Sequence, residues 1–323
     1  MTNTILVTGC AGFIGSHLCE KLLSIVTNQV IGIDNLDPYY SPELKKKNLS
    51  LLTKFKNFSF YEEDVRYTSI ILTKKPDIVV HLASLAGVRP SLRLPERYAE
   101  VNIIGMIHLL EQFRTLHNLE NRKFIFASSS SVYGTNQKVP FEESDPLTNI
   151  NSPYAASKKA MEIYAQTYSQ LYKLNIIGLR FFTVYGPRGR PDMAPYKFMK
   201  AIKEGTEITK YGKGNSFRDY TYILDIVQGI EGAIKSKKEG YEVYNLGNGN
   251  PITLNEFIET CEKVLQKKAI IKEIEEQDGD VPGTYCSKEK AEWDLGYETK
   301  FKLEEGLRNI NLNYTIYINQ MFR

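Results

Sequence analysis

The sequence predicts an α/β protein with a doubly wound parallel sheet and a smaller C-terminal α/β lobe. Three observations support this prediction. Short apolar, β-branched runs alternate with helical stretches through the first half, as in a parallel sheet covered on both faces. After Phe181 the chain becomes rich in Gly, Pro and Arg, which is typical of a ligand-facing loop region. The chain of 323 residues also exceeds the usual size of one domain.

The elements of the first lobe follow in order along the chain. Strands are predicted at residues 5–7, 30–33, 58–61, 78–81, 124–127 and 176–179, with a return to the sheet at 241–245. Helices are predicted at 12–26, 67–74, 95–117, 153–173 and 223–236. Right-handed crossovers would connect the strands. We expect residues 1–180 plus about 221–250 to form the first lobe, and 181–220 plus about 251–323 to form the second.

Two of these helices have readable faces. Helix 95–117 carries apolar residues at a spacing of three to four, which predicts one buried face made of Ile103, Met106, Leu110 and Phe113. Helix 153–173 begins with Ser152 as N-cap and Pro153 at its first position. Its predicted packing stripe consists of Ala156, Ala160, Ile163, Thr167 and Leu171.

Composition excludes several classes of protein. The net charge of +3 is mild and the lysines form only short clusters, which argues against a nucleic-acid partner. No run of eighteen apolar residues is present to span a membrane. The four cysteines have neither paired nor metal-like spacing, so we expect no metal site and a reducing, cytoplasmic setting.

A glycine turn lies between the first strand and the first helix. Gly9, Gly12 and Gly15 are spaced by three, with Phe13 and Ile14 between the last two. Such a turn lets the backbone approach a pyrophosphate at a helix N-terminus, as in Rossmann dinucleotide-binding folds. Asp34 ends the second strand, where a carboxylate accepts ribose hydroxyls and repels a 2′-phosphate. The sequence therefore predicts NAD as the cofactor.

A tyrosine and a lysine share one face of the helix at 153–173. Tyr154 and Lys158 are four residues apart, and a neighbouring ammonium would lower the pKa of the phenol toward that of a useful base. Upstream, the strand at 124–127 leads into a run of serines that includes Ser129, at the sheet edge where such folds bind ligands. Ser129, Tyr154 and Lys158 are our candidate catalytic residues.

The glycine turn followed by Ser, Tyr and Lys in this order resembles the short-chain dehydrogenase/reductase superfamily. Within its extended branch, four stretches resemble the UDP-glucuronate 4-epimerases, and they cover essentially the whole chain. They are residues 33–36 with the tyrosines at 39–40, residues 86–89, residues 180–187 running into 190–194, and residues 279–282.

The resemblance implies further site residues. Around NAD it places Asn35, Asp64, Val65, Leu82, Ala83, Ala86, Asn102 and Phe181. Around a UDP-sugar it places Ser130, Thr183, Arg190, Tyr211, Arg218, Gln277 and Asp280. Arg218 would meet the diphosphate and Arg190 the sugar carboxylate, because a guanidinium donates two parallel hydrogen bonds to such groups. By analogy with the superfamily, we also expect a homodimer built on helices 95–117 and 153–173.

In the implied mechanism, the Tyr154 phenolate takes the proton of the 4-hydroxyl while hydride passes from carbon 4 to NAD⁺. The 4-ketone turns and receives the hydride on its other face, while Ser129 hydrogen-bonds the reacting oxygen and Lys158 tunes the base. The ketone of a uronate is a β-keto acid that readily loses CO₂. Arg190, with Ser130 or Thr183, would hold its carboxylate out of alignment for that loss.

Several alternatives remain at this point. Neutral UDP-hexose and N-acetylhexosamine epimerases share the same machinery. Decarboxylases and 4,6-dehydratases also have the Tyr–Lys pair, but they carry an acid before the Val-Tyr-Gly, where this chain has Ser130 and Ser131. A non-catalytic NAD-sensing scaffold would be expected to lose Tyr154 or Lys158, and both are present.

Overall fold

The computed structural model describes residues 3–275 and 283–317. In the first half the elements are β1 (Thr4–Thr8), α1 (Phe13–Leu23), β2 (Gln29–Ile33), α2 (Pro42–Leu52), β3 (Phe58–Tyr61), α3 (Ile70–Lys74), β4 (Ile78–His81), α4 (Val88–Arg93), α5 (Pro95–Tyr98), a π-helical segment (Ala99–Ile104), α6 (Gly105–Phe113), a 3₁₀ turn (Leu119–Asn121), β5 (Lys123–Ser129), a second 3₁₀ turn (Ser130–Tyr133), α7 (Pro153–Tyr172) and β6 (Ile176–Phe181).

The second half contains shorter strands. Its elements are β7 (Thr183–Tyr185), α8 (Ala194–Glu204), β8 (Glu207–Tyr211), β9 (Phe217–Tyr222), α9 (Ile223–Lys235), β10 (Tyr241–Leu246), β11 (Pro251–Thr253), α10 (Leu254–Leu265), β12 (Ile270–Ile274), β13 (Gly283–Thr284), α11 (Glu289–Leu295) and α12 (Leu303–Tyr317).

The central sheet has seven strands in the order β10-β6-β5-β4-β1-β2-β3. All neighbouring pairs are parallel, so the predicted doubly wound fold is confirmed. The strand order reverses at β1, and the carboxyl ends of β1 and β4 lie side by side there. In open α/β sheets this reversal leaves a crevice that binds ligands. Two smaller sheets, one around β9 and one made of β8 and β12, are built from the second half.

The core divides into two layers, one on each face of the central sheet. Ile5 and Val7 of β1 pack in the layer that includes α1 and α9, whereas Leu6 packs in the layer that includes α6 and α7. Successive side chains of a strand point to opposite faces, so a strand covered on both sides must be apolar throughout. The same alternation explains the continuous apolar runs that identified these strands.

Helix 95–117 differs from the prediction. It is interrupted by the π-helical segment and ends at Phe113 rather than at residue 117. Met106, Leu110 and Phe113 are fully buried as expected, whereas Ile103 is only partly buried. The extra residue per turn in the π-helical segment rotates the apolar stripe, and simple 3.6-residue periodicity does not anticipate this shift.

The predicted packing stripe of α7 is wrong. Ile163 is 52% exposed and Leu171 is 66% exposed, and Ala156 and Thr167 also face outward. The buried face of α7 instead contains Ala155, Ser157, Lys158, Met161, Glu162, Ala165 and Ser169. A polar face is buried because it lies over the ends of β5 and β6, where its polar groups find partners. The apolar stripe is left on the surface.

Candidate active site

The glycine turn follows β1 with very little space around it. Gly9 has φ of +69°, and a Cβ there would lie 2.9 Å from the backbone nitrogen of Ala83. A Cβ on Gly15 would lie 2.1 Å from the Gly9 carbonyl oxygen, so only glycine lets α1 start this close to the strand. Gly12 caps α1 without a side-chain hydrogen bond, which leaves the first N–H groups of the helix available to an anion.

Asp34 lies directly after β2 and is buried. Its carboxylate accepts hydrogen bonds from the Ala11 amide at 3.2 Å and the Leu36 amide at 2.9 Å. Lys45 Nζ lies 3.4 Å from the same carboxylate, which makes a buried ion pair. The acid is therefore fixed beside the glycine turn, where the sequence predicted a ribose-binding carboxylate.

A second polar group lies at the end of β3. Asn35 donates to Asp64 Oδ2 at 2.9 Å, and Arg66 donates to both oxygens of Asp64, at 3.0 Å from Nε and 2.9 Å from Nη2. These hydrogen bonds from Arg66 hold the pKa of Asp64 below its usual value, although burial opposes them. Val65 is buried next to this group.

One cavity of about 390 Å³ extends along the carboxyl ends of the strands. It collects nineteen of the residues singled out from the sequence, which are Gly9, Gly12, Phe13, Ile14, Gly15, Asp34, Asn35, Asp64, Val65, Leu82, Ala83, Ala86, Ser129, Ser130, Tyr154, Lys158, Phe181, Thr183 and Arg190. These residues come from segments far apart in the chain. The parallel sheet brings them together because each lies at or near the carboxyl end of a strand or at the start of a helix.

Tyr154 lies in the first turn of α7. The helix begins as predicted, with the Ala155 amide donating to Ser152 Oγ at 3.1 Å and with Pro153 at the first position. Burial raises the pKa of Tyr154, while a hydrogen bond with Ser129 and the charge of Arg190 lower it. Burial prevails, so the lowering of the phenol pKa expected from the sequence is not produced by these protein groups.

Lys158 lies one turn further along α7 and is fully buried. Its ammonium donates to the Ala127 carbonyl oxygen at 2.7 Å and to Ser84 Oγ at 2.8 Å, and lies 5.9 Å from the centroid of the Tyr154 ring. Burial lowers the pKa of Lys158 to about 7, and the charge of Glu162 opposes this effect. The charge of Lys158 therefore changes near neutral pH.

Arg190 enters the cavity from the loop before α8. It donates to both oxygens of Asp192, at 3.0 Å from Nε and 2.6 Å from Nη2, and its guanidinium lies 5.2 Å from the centroid of the Tyr39 ring. Its side chain is only 18% exposed. Arg190 is therefore a largely buried side chain and not a solvated arginine on the surface of the loop. A guanidinium held near a phenol suits a substrate that carries a carboxylate.

Three residues assigned from the sequence do not line this cavity. Asn102 is buried behind its wall, where it accepts a hydrogen bond from the Leu85 amide at 2.8 Å and donates to Ser157 Oγ at 2.9 Å. Tyr211 is the last residue of β8 and Arg218 is the second residue of β9, so both belong to the smaller sheets. Arg218 donates to the Phe217 carbonyl oxygen at 2.8 Å, and no ion pair with a neighbouring acid joins it in the described ranges. Gln277 and Asp280 lie outside the described residues.

The structure also brings in residues that sequence reasoning missed. Ser84, which holds Lys158, lies only one residue from the predicted Ala83, so its position was a usable signal. Tyr98 packs edge-on against Tyr154, with ring centroids 6.2 Å apart, and donates to the Ala86 carbonyl oxygen at 2.8 Å. That contact depends on how the α5 segment packs on α7, and no local sequence pattern predicts it.

No metal site was expected, and the ranges 3–275 and 283–317 contain no group of three or more His, Cys, Asp or Glu side chains arranged to hold a metal ion. Within the same part of the chain, no helix combines the length and apolar character needed to cross a bilayer.

A dinucleotide turn and a Tyr–Lys helix around one cavity characterise the short-chain dehydrogenase/reductase class. A family model described as GDP-mannose 4,6 dehydratase matches residues 6–310, and the chain belongs to that family. The chain is also 42% identical to the UDP-glucuronate 4-epimerase of Thermodesulfobacterium geofontis over 308 residues, which cover 94% of this chain and 93% of that protein. The family resemblance inferred from the sequence is thus confirmed.

Solved structures give the same result. The UDP-glucuronic acid 4-epimerase of Bacillus cereus, in complex with UDP-glucuronic acid and NAD, matches with a TM-score of 0.89 and 35% identity, covering 99% of this chain and 100% of that one. The UDP-glucose 4-epimerase of Thermotoga maritima, with UDP-glucose, matches with a TM-score of 0.85 and 33% identity, covering 97% and 99%.

Proposed function

We propose that the protein catalyses the NAD-dependent 4-epimerisation of UDP-glucuronate to UDP-galacturonate through a transient 4-ketone. The observation that carries the choice of sugar is Arg190, whose largely buried guanidinium shares one cavity with Ser129 and Tyr154. The related UDP-glucuronate 4-epimerases from T. geofontis and B. cereus support the same reaction.

The residues present fit NAD. The glycine turn forms a cradle that any Cβ would fill at Gly9 or Gly15, and the start of α1 offers free N–H groups to a pyrophosphate. Asp34 is fixed beside this turn and suits ribose hydroxyls. The remaining cofactor contacts would come from cavity residues near β3, β4 and β6, namely Asp64, Val65, Leu82, Ala83, Ala86 and Phe181. The chemistry that NAD supplies when bound is reversible hydride transfer at carbon 4 of the sugar.

The protein groups would move the proton. Tyr154 accepts it from the 4-hydroxyl and returns it after the ketone has turned, and Ser129 donates a hydrogen bond to the same oxygen. Lys158 lies one turn along α7 from Tyr154, where hydrogen bonds to Ala127 and Ser84 fix the position of its amino group, which carries the charge when protonated. A charge at this position favours the phenolate over the phenol.

The carboxylate would be held at the other side of the sugar. Arg190 supplies the charged fork, and Ser130 and Thr183 line the same cavity with hydroxyl groups. If the carboxylate bond is kept out of alignment with the ketone, loss of CO₂ is suppressed. Tyr211 and Arg218, with Gln277 and Asp280, remain assigned to the nucleotide by resemblance.

The alternative reactions are less well supported. The UDP-glucose 4-epimerase of T. maritima supports neutral UDP-hexoses as the second candidate class of substrate, and the N-acetylhexosamines stay in that class by resemblance alone. Elimination, the reaction of a 4,6-dehydratase, and decarboxylation both need an acid near the reacting carbons. Residues 127–131 at the end of β5 contain only Ala and Ser, so that segment provides no titratable group.

The decisive experiment incubates the purified protein with UDP-glucuronate and follows the products by proton NMR. Appearance of UDP-galacturonate supports the epimerase. A UDP-pentose would establish the decarboxylase, and a 4-keto-6-deoxy sugar from a neutral UDP-hexose would establish the dehydratase. Spectra that stay unchanged with UDP-glucuronate, UDP-glucose and UDP-N-acetylglucosamine, with NAD bound, would establish the non-catalytic scaffold. Incubation with UDP-glucose in parallel measures the preference for the uronate.

We propose a homodimer formed by the apolar stripe of α7 and the segment before α6. The support is a set of large exposed apolar side chains. They are Ile163, Tyr164, Leu171 and Tyr172 of α7, Ile104 of the π-helical segment, and Val88, Leu92 and Leu94 in and just after α4. We expect Ile163→Asp to give a monomer in sedimentation velocity. Val26→Asp changes an equally apolar exposed residue after α1, on the opposite side of the sheet, and should leave the dimer intact.

Two further assignments belong to this proposal. We place the protein in a reducing, cytoplasmic setting, supported by the four cysteines, all of which are buried and unpaired. We divide the chain into an NAD lobe, residues 1–180 plus about 221–250, and a nucleotide-sugar lobe, residues 181–220 plus about 251–323. The location of the seven-stranded sheet, apart from the last residue of β6, within the first of these supports the division.

A further inference from the structure

The buried face of α7 continues beyond its two chemical residues to a third polar side chain. Tyr154, Lys158 and Glu162 are four residues apart, so they line one face of the helix, with neighbours about 5–6 Å apart at Cβ. Lys158 and Glu162 are both almost inaccessible to solvent. An acid buried this deeply needs several partners, because an unpaired buried charge is strongly unfavourable.

Three consecutive residues at the end of β5 hold these three side chains. Ser129 interacts with Tyr154 and lowers the pKa of its phenol, and the Ala127 carbonyl oxygen accepts from Lys158 at 2.7 Å. Ser128, between them, donates to Glu162 Oε1 at 2.6 Å. The carboxyl end of β5 therefore contacts α7 at three successive turns of the helix.

Glu162 is also joined to the neighbouring strand. Arg180 of β6, which pairs in register with Ser128, donates to both carboxylate oxygens of Glu162 at 2.9 Å. The same guanidinium donates to Tyr133 Oη at 2.9 Å, and Tyr133 donates to Asn245 of β10 at 2.7 Å. A buried polar layer thus crosses three strands and ends at Glu162 on α7.

We propose that Glu162 is a positioning residue for the reaction, one that acts through Lys158. Paired with Arg180, it fixes the rotation of α7 over the strand ends, and its negative charge one turn away keeps Lys158 protonated. This inference rests on the proposed function for its effect on turnover, but its effect on Lys158 does not depend on turnover.

The charged and titratable groups around Lys158 give the direction of the effect. Tyr154 and Glu162 face it from its own helix. From β4 it faces His81, whose pKa is lowered to about 3 by burial and by the charge of Lys158, so His81 is neutral. Arg180 of β6 forms an ion pair with Glu162. Among these groups Glu162 is the one that raises the pKa of Lys158. Its removal should therefore let Lys158 lose its proton at lower pH.

The test compares three variants. Glu162→Gln keeps the shape but leaves Arg180 without its charged partner. The double variant Glu162→Leu/Arg180→Met removes both charges together, a replacement that buried ion pairs often tolerate without loss of stability. Glu231→Gln is the matched control, because Glu231 is a mostly buried helical acid with two lysine partners on the far side of the molecule from α7.

Two measurements separate positioning from plain stability. The first is the pH profile of kcat, whose alkaline limb should move to lower pH in the Glu162 variants. The second is a carbon-13 NMR titration of lysines labelled at the ε-carbon, in which the Lys158 resonance is identified by its absence from Lys158→Met. That resonance should titrate at lower pH in both Glu162 variants and as in the parent in Glu231→Gln.

The outcomes are distinguishable. We expect the double variant to recover the parental Tm that Glu162→Gln loses, and to shift the profile and the titration less than Glu162→Gln does, because its two deleted charges are opposite and adjacent. A Glu162→Gln protein with the parental profile and the parental Lys158 titration would overturn the inference and leave a purely structural ion pair. If the parent protein does not epimerise UDP-sugars, the proposed function fails, and the NMR titration still decides the role of Glu162.

Discussion

Replacing Arg190 by glutamine should cost the protein its uronate affinity while leaving neutral sugars unaffected. Arg190 is the cationic side chain that the 186–193 loop presents to the cavity, and a carboxylate at carbon 6 distinguishes glucuronate from glucose. Glutamine retains polarity but is shorter, has no charge and donates through one amide group. Asp192, whose side chain is 43% exposed, would be hydrated after losing its partner, so the loop should keep its fold.

The size of the effect follows from the contacts that Arg190 already makes. A hydrogen bond between a charged donor and a carboxylate contributes about 1.5–3 kcal/mol. Two such bonds would give up to about 6 kcal/mol, but Asp192 occupies Nε and Nη2 at 3.0 and 2.6 Å, and a substrate must compete with it. We therefore take about 3 kcal/mol, which corresponds to roughly a hundredfold weaker binding of UDP-glucuronate.

Isothermal titration calorimetry of the parent and Arg190→Gln with UDP-glucuronate and with UDP-glucose measures this directly. UDP-glucose should bind both proteins within about twofold, since it presents no carboxylate to the fork. Equal losses for the two ligands would mean that the loop had collapsed and that Arg190 is structural. Unchanged affinity for the uronate would refute the assignment of Arg190 to the carboxylate.

Three other predictions address the cradle, the base and the buried histidines. Gly15→Ala should abolish NAD retention on gel filtration and lower Tm, because its methyl group would meet a carbonyl oxygen at 2.1 Å. Tyr154→Phe should lower kcat by about 10²–10⁴-fold while NAD stays bound, as measured by coupled assay. Burial lowers the pKa of His17 and of His81 to about 3, so unfolded histidines bind protons first as pH falls from about 6.5. Urea unfolding should show stability falling by about 1.4 kcal/mol per pH unit for each histidine below that pH, and His17→Gln should remove one such contribution; a slope unchanged by that variant would contradict the burial argument.

Local patterns in the sequence were sufficient for the strands and for most of the cavity. The parallel strands are apolar on both faces and short, so their positions are legible, and their carboxyl ends must converge. The glycine turn and the start of α7 were likewise local signals, since steric space and capping act over a few residues. The resemblance, and not the pattern, identified Thr183 at the start of β7 and Arg190 in the loop that follows it.

What the sequence did not reveal depends on contacts between elements. The buried face of α7 is polar, and periodicity assigned burial to the apolar stripe because it assumes a hydrophobic partner for every helix. A similar reason explains why Asn102, expected at the cofactor, lies behind the cavity wall, whereas Ser84, which the sequence did not single out, lines the cavity. Whether a polar side chain reaches a cavity or braces its wall depends on the packing of one segment on another. Likewise, the net pKa of Tyr154 depends on burial, which no spacing of residues reports.

The anchoring of Lys158 has an evolutionary consequence. One of its two acceptors is a main-chain carbonyl oxygen, which every residue type at position 127 would supply equally. Mutational drift at that position therefore cannot remove the acceptor, and only Ser84 is a replaceable partner. Substrate specificity can thus change through substitutions in the loop at 186–193 while Lys158 keeps its position. Directed evolution toward other nucleotide sugars should begin at that loop.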